Sequence, residues 1–198
     1  MNIYLIAGPP GIGKSTNAQQ LIPRDIAILD QDLAAYQYKK QGFSDYKDLA
    51  SLSTNQRIRQ NLFDSEDFAM ELNLGFQSHY DYLKSIASFN WENKIHLLLF
   101  FTDDLNLCLT RAKARHLSGG HEVKPEIVEE MYQATIPLFF ENKSLFSTVR
   151  LIDVSYESYS EPLQNSENLP GWITHNDLKA FLLLPGNVKK PNRGLRPN

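Results

Sequence analysis

A glycine-rich loop follows a short apolar run at the amino end of the chain, and this pairing constrains the fold more than any other feature. Residues 2–7 are typical of a buried β-strand, and the next nine are Gly8, Pro9, Pro10, Gly11, Ile12, Gly13, Lys14, Ser15 and Thr16. At this spacing glycines turn backbone N–H groups toward a β-phosphate, the lysine reaches the β- and γ-oxygens, and the serine hydroxyl ligates Mg²⁺. Residues 14–21 have a helical pattern, which completes the strand-then-helix context. We therefore predict a phosphate-binding loop for a nucleoside triphosphate with Mg²⁺.

Composition narrows the class of protein. The chain has 198 residues, 42% of them hydrophobic, which suits one well-buried core and not two. A net charge of −3 argues against bulk binding to nucleic acid. Cys108 is the one cysteine, so no intramolecular disulfide forms. No charged-then-apolar leader precedes the first strand, and the apolar stretch at 97–101 is too short for a bilayer, so we expect a cytoplasmic protein without a membrane partner.

Alternating strands and helices predict the architecture. Apolar runs recur at residues 2–7, 26–29, 68–72, 95–101 and 149–154, with helical segments between them. This alternation predicts an α/β fold, a parallel β-sheet flanked by helices, and together with the phosphate-binding loop it is typical of a P-loop NTPase. Active groups then belong at the carboxyl ends of the strands.

The same patterns predict the domain organisation. We expect a main domain with the phosphate-binding loop over residues 1–154 and a carboxyl-terminal extension over 155–198, which packs on that domain or trails from it. Two helices are clearest, one over residues 105–117 and one that begins at Pro125, which Pro137 should kink or restart. Residues 33–67 are predicted to form helices over the carboxyl edge of the sheet. The basic residues of 186–198 favour a solvated tail over a phosphate-binding one.

Three carboxylates follow the second and third predicted strands. Asp30 and Asp32 lie two residues apart, so in an extended chain they point the same way, and Glu71 closes the third strand. Beside the loop, one carboxylate of the pair can orient Mg²⁺ while the other accepts a proton from an attacking hydroxyl. The structural alternative is that Asp30 ends the strand and Asp32 caps the next helix. Glu71 either binds a ligand at this edge or points to water.

Two arginines follow the fourth strand. Arg111 and Arg115 are four residues apart on the helix predicted for 105–117, so both guanidinium groups leave the same side. Two cations suit the charge on a transferring phosphoryl group, and an ordinary solvated helix face is the alternative. The turn at residues 118–121 resembles a hinge, so a lid is predicted near 111–125.

These motifs together resemble the zeta toxin family. The resemblance extends over residues 1–154 and is most specific over 97–132. The residues that carry it are the loop at 8–16, Leu29-Asp30-Gln31-Asp32-Leu33-Ala34, Glu71-Leu72-Asn73-Leu74, Arg111, Arg115, Gly119-Gly120-His121 and Pro125-Glu126. The resemblance implies the fold of small P-loop kinases and transfer of the ATP γ-phosphate to a sugar hydroxyl, with UDP-N-acetylglucosamine as the best-known acceptor.

The resemblance also implies roles by matching position. Asp32 would be the general base, Lys14 and Ser15 the phosphate and Mg²⁺ ligands, Asp30 and Glu71 acceptor-site residues, and Arg111 with Arg115 lid arginines. An antitoxin protein would be a partner. Small members commonly have Glu-Thr-Thr-Leu where this chain has Glu71-Leu72-Asn73-Leu74, and arginines where it has Glu129-Glu130. Lys124 or His121 is the candidate for the missing cation.

Two other functions compete with a kinase. Leu117-Ser118-Gly119-Gly120-His121 resembles the signature of ABC-type ATPases, and residues 149–153 could form a Walker B strand that ends at Asp153. Such a chain would be a dimerising motor with a protein partner. Val154 stands where the water-activating glutamate would be, and the paired aspartates have no role in that scheme. The other alternative is a kinase-like protein that binds nucleotide and has lost its activity.

Overall fold

Five parallel strands form the central sheet. The computed structural model describes residues 1–156 and 158–184, and its strands are β1 (Asn2–Ala7), β2 (Ile28–Leu29), β3 (Phe68–Leu72), β4 (Lys94–Phe101) and β5 (Thr148–Asp153). Their order is β2-β3-β1-β4-β5, so the strand that precedes the glycine-rich loop is central. The predicted parallel α/β sheet is confirmed. Because all strands are parallel, their carboxyl ends lie at one edge of the sheet, where active groups are expected.

Helices cover both faces of the sheet. They are α1 (Lys14–Asn17), α2 (Gln31–Lys40), α3 (Tyr46–Asp64), α4 (Gln77–Phe89), α5 (Leu105–Leu117), α6 (Pro125–Asn142) and α7 (Gly171–His175). Successive strand residues point to opposite faces. Ile3 and Leu5 of β1 therefore pack with α3, α4, α6 and α7, whereas Ile6 packs with α5 and with Ala18 after α1.

Two predicted elements are shorter than expected. The helix predicted for residues 14–21 ends at Asn17 and continues as a 3₁₀ turn over Ala18–Gln20, ahead of Pro23, which disfavours helical geometry in the residue before it. The strand predicted for residues 26–29 is reduced to Ile28–Leu29, because the Ile26 amide donates to the Pro23 carbonyl at 3.2 Å and forms a turn.

The two helices predicted after β4 are both present. α5 has the predicted bounds, since the Asp104 carboxylate caps it by accepting from the Leu107 amide at 3.1 Å. α6 begins at Pro125 as predicted and runs unbroken through Pro137, so a restart there was wrong. Ile136 and Phe139 are buried on either side of the proline, and this packing holds the helix across the missing N–H.

The segment after β5 returns to the sheet. Trp172 and Ile173 of α7 are buried in the core cluster that contains β1. The basic residues 186–198, for which a solvated tail was predicted, lie outside the described residues.

Candidate active site

The loop after β1 has the backbone geometry of an anion cradle. Gly8, Gly11 and Gly13 have φ angles of 142°, 78° and 96°, which side-chain-bearing residues rarely adopt. A Cβ at Gly8 would lie 2.2 Å from the Phe100 carbonyl oxygen, and one at Gly11 would lie 2.1 Å from the Cys108 carbonyl oxygen. The loop is thus pressed against β4 and α5, and only glycine fits at either contact.

The buried Lys14 ammonium has hydrogen-bond partners both inside and outside the loop. Its Nζ donates to the carbonyl oxygens of Gly8 at 2.8 Å and Pro9 at 3.2 Å, and to Oδ1 of Asn73 at 2.8 Å. Glu71 Oε1 lies 3.7 Å from the same ammonium. Burial lowers the pKa of Lys14, while the carboxylates of Glu71 and Asp32 oppose that shift. The cation therefore lies at the floor of the cradle, stabilised by oxygen atoms on several sides.

Oxygen ligands converge beside Lys14. Ser15 Oγ donates to Glu71 Oε2 at 2.8 Å and lies 3.5 Å from Asp30 Oδ2. Burial raises the pKa of Glu71, and the Lys14 charge opposes this shift. Hydroxyl and carboxylate oxygens are the donors that Mg²⁺ takes from proteins, so this trio fits the metal that the motif implies. The glycine cradle likewise fits phosphate.

Asp30 also organises the start of α2. Its Oδ1 accepts from the amides of Asp32 at 2.9 Å and Leu33 at 3.1 Å, which makes Asp30 the N-cap. The structural alternative for the aspartate pair assigned that cap to Asp32, and this assignment was wrong. Asp32 lies in the first turn of α2 instead, with its carboxylate directed at α5.

Arg115 of α5 and Asp32 of α2 form an ion pair. Arg115 Nη2 lies 2.6 Å from Asp32 Oδ2, and the two side chains are 43% and 46% exposed. Both residues line a cleft of about 20 Å³ together with Pro10, Gly11, Lys14, Glu71, Asn73, Ala112, His121 and Val123. A volume this small holds about one water molecule, and the ion pair forms part of the cleft wall.

The other cationic candidates differ in whether they lie at the loop or the cleft. Arg111 Nη1 lies 3.5 Å from the Ile12 carbonyl oxygen, so it is at the loop, and His121 lines the cleft. Lys124 is the N-cap residue of α6 and does not line the cleft. Ser15 and Thr16 are exposed at the start of α1. The structure thus brings Lys14, Ser15, Asp30, Asp32, Glu71, Arg111 and Arg115 to one edge of the sheet.

Asn73 is the site residue that sequence reasoning missed. It follows Glu71 by two residues at the carboxyl end of β3, and the rule that selected Glu71 applies equally to it. Leu74, next in the chain, is fully buried with a φ of 53°, a left-handed conformation that is unusual for leucine. Gly75 then lies against Met131 of α6, where a Cβ would be only 2.4 Å from the Met131 Cβ. A strained, tightly packed turn therefore fixes the Asn73 amide on Lys14.

Asp153, the candidate Walker B aspartate of an ABC-type ATPase, does not lie beside Ser15. Asp153 is 1% exposed, and its Oδ1 accepts from Trp172 Nε1 at 2.9 Å and Ser155 Oγ at 2.8 Å. β5, which carries Asp153, is separated from β1 by β4. Glu71 and not Asp153 is the carboxylate beside Ser15.

Comparison with known proteins identifies the class of fold. No protein-family model matches the chain, and no curated protein matches it. Solved structures do match. A Chloroflexus aurantiacus protein described as a candidate kinase has 14% identity and a TM-score of 0.58, with 91% of this chain and 98% of that chain covered.

Two further neighbours come from assemblies of two proteins. A chain of the AvrRxo1-ORF1:AvrRxo1-ORF2 complex, solved with ATP, has 14% identity and a TM-score of 0.59 over 81% of this chain and 57% of its own. The chain thus spans little more than half of that neighbour. A chain of the PezAT toxin–antitoxin system of Streptococcus pneumoniae has 15% identity and a TM-score of 0.54, with 93% and 77% covered. These neighbours confirm the predicted fold, a parallel sheet flanked by helices, which this chain shares with them.

None of the helices described over residues 1–156 and 158–184 combines the length and apolar character needed to cross a membrane.

Proposed function

We propose that this chain is an ATP-dependent phosphotransferase that moves the γ-phosphate to a hydroxyl group of a small molecule. The observation that carries the proposal is the convergence of a glycine cradle, a buried lysine, three carboxylates and two arginines at one edge of a kinase-like sheet. A nucleotide sugar such as UDP-N-acetylglucosamine is the acceptor that the zeta toxin resemblance favours. The same resemblance supports an antitoxin-like protein partner, and the single cysteine favours a cytoplasmic location.

Nucleotide binding is assigned to the loop. The backbone N–H groups of residues 8–16 and the Lys14 ammonium would hold the phosphates, with Lys14 exchanging a protein oxygen for a phosphate oxygen. Ser15, Asp30 and Glu71 would hold Mg²⁺, which when bound neutralises charge on the β- and γ-oxygens. The zeta toxin resemblance also favours Asp30 and Glu71 as residues of the acceptor site.

Phosphoryl transfer is assigned to Asp32 and the arginines. The acceptor oxygen forms a bond to the γ-phosphorus, the bond from that phosphorus to the β–γ bridging oxygen breaks, and ADP leaves. The hydroxyl proton passes to the Asp32 carboxylate. Arg111 and Arg115, on the side of α5 that faces the loop, would stabilise the negative charge on the transferring group.

A transfer assay tests this function. The protein is incubated with γ-labelled ATP, Mg²⁺ and a panel of nucleotide sugars, nucleosides and dinucleotides, and labelled products are separated. We expect one acceptor class to be labelled, and Asp32→Asn to lower the rate by about 100-fold or more because it removes the proton acceptor. Asp30→Asn keeps a good helix cap and should lower the rate less.

A control variant separates the site from overall charge. Glu66→Gln removes an exposed carboxylate just before β3, at the opposite edge of the sheet, and should leave transfer unchanged. Transfer that survives Asp32→Asn and fails with Asp30→Asn would reverse the two roles. An absence of label on every acceptor class, with ATP still bound, would favour a nucleotide-binding protein without kinase activity.

A further inference from the structure

α2 contacts both the carboxyl end of α5 and the turn that follows it. The Asp32–Arg115 ion pair, with its 2.6 Å distance, is one part of this contact. Tyr36, one turn further along α2, is the other: a Cβ built on Gly119 would lie 3.9 Å from Tyr36 Cε2. We call these four residues, Asp32, Tyr36, Arg115 and Gly119, the latch.

The turn after α5 is itself packed onto Arg115. The Gly120 amide donates to the Arg115 carbonyl at 3.0 Å, and a Cβ on Gly120 would lie 2.8 Å from Arg115 Cγ. The turn is therefore bonded to the Arg115 backbone and packs closely on the stem of its side chain.

The ion pair occupies the two groups that the reaction needs. While the pair persists, Arg115 engages one lone pair of Asp32 Oδ2, and its Nη2 donor is directed at this carboxylate. The same N–H cannot bond a phosphate oxygen at the same time. The ion pair therefore competes with the proposed role of each partner.

We infer that the latch is opened by the nucleotide, whose phosphates draw Arg115 from Asp32. This inference rests on the proposed function. Both side chains are about half exposed, and ion pairs of this exposure change an equilibrium by no more than about fivefold. Charge-assisted hydrogen bonds to phosphate are stronger, so ATP can displace Asp32.

Affinity for ATP and Mg²⁺ tests the latch through a double-mutant cycle. Asp32→Asn frees Arg115 and should tighten ATP binding by up to about fivefold in calorimetry. Arg115→Ala removes the phosphate contact and should weaken binding. The combined variant should bind ATP as Arg115→Ala does, because Asp32 no longer competes for an arginine.

Two outcomes of the cycle would overturn the latch. One is an unchanged or weaker ATP affinity in Asp32→Asn. The other is a gain in affinity that persists undiminished when Arg115 is alanine, which would assign the gain to general charge. Glu66→Gln, at the opposite edge of the sheet, measures that general effect directly.

Hydrogen exchange tests the latch without nucleotide. Asp32→Asn and Arg115→Ala should each raise the exchange rates of amides in residues 118–124 severalfold over the parent protein, whereas Glu66→Gln should not. Equal rates in all four proteins would overturn the latch. If the parent protein binds no ATP, the proposed function fails, and exchange alone then decides whether this contact holds the lid shut.

Discussion

At the scale of single residues, the site depends on how a buried ammonium is satisfied. Lys14 is 5% exposed, and its three N–H donors have three oxygen partners, two in its own loop and one on Asn73. The sequence predicts Lys14 because the loop spacing is local. It does not predict the Asn73 contact, which depends on the left-handed backbone of Leu74 and the packing of Gly75 on α6, both set by tertiary structure.

Substitution of Asn73 tests this contact. Asn73→Leu has a similar shape and no acceptor, so one donor of a buried ammonium is left unpaired. We expect the free energy of unfolding to fall by about 1–3 kcal/mol in urea denaturation. Asn73→Thr, the residue common in zeta toxins, restores an oxygen and should recover part of the loss. Equal stability of the Leu variant and the parent would show that Lys14 does not need Asn73.

At the scale of elements, the phosphate loop is shaped by its neighbours as much as by its own glycines. Gly11 meets the Cys108 carbonyl of α5, and Gly8 meets the Phe100 carbonyl of β4. The sequence predicts α5 to the residue because the Asp104 cap and the apolar spacing agree. It overestimates α1, which ends before the turns around Pro23, and β2, which begins after them, because a hydrophobic pattern does not reveal these turns.

A pair of glycine substitutions isolates the contact between the loop and α5. Gly11→Ala and Gly42→Ala both place a side chain at positive φ, 78° and 90°, which costs about 1–2 kcal/mol. A Cβ on Gly42 would meet no atom of the described residues within 4 Å, whereas one on Gly11 would meet a carbonyl at 2.1 Å. Thermal denaturation should therefore show Gly11→Ala less stable than Gly42→Ala by about 1–3 kcal/mol. Equal losses would mean that the loop does not press on α5.

At the scale of the whole molecule, the carboxyl and amino edges of the sheet carry different groups of polar residues. The carboxyl edge holds the candidate site, and the amino edge holds a hydrogen-bonded network. His96 of β4 bonds Thr148 of β5 through Nδ1 at 2.9 Å and Asn2 of β1 through Nε2 at 3.1 Å, and Asn2 in turn donates to Asp67 ahead of β3. Because Asn2 Oδ1 accepts from His96, the neutral ring carries its proton on Nε2. The sequence predicts these strands and not this network.

The network makes stability depend on pH. Burial lowers the pKa of His96, an effect that Asp67 opposes, and burial likewise lowers the pKa of His79. The folded state therefore binds fewer protons than the unfolded state, and stability falls as the pH drops from about 6.5 toward the lowered pKa. Urea denaturation between pH 7.5 and 5.5 should show this fall, and His96→Gln should reduce its slope. An unchanged slope would show that His96 does not contribute to the pH dependence of stability.

The oligomeric response to ATP separates a kinase from an ABC-type motor. Ser118 Oγ donates to the Ala114 carbonyl of its own helix at 3.0 Å, so its hydroxyl caps the carboxyl end of α5. We expect light scattering to give the same mass with and without ATP, and Ser118→Arg to leave that mass unchanged. An ATP-dependent dimer that Ser118→Arg abolishes would replace the kinase assignment by the ABC-type one.

Calorimetry with ATP and Mg²⁺ tests the central claim, that the loop around Lys14 binds a nucleoside triphosphate, most directly. The account predicts that the parent protein binds ATP and that Lys14→Ala weakens binding by at least about tenfold, because a charge-assisted contact to the phosphates is lost. Lys113→Ala, an exposed lysine of α5, should bind as the parent does. Equal affinity of Lys14→Ala and the parent would contradict the claim.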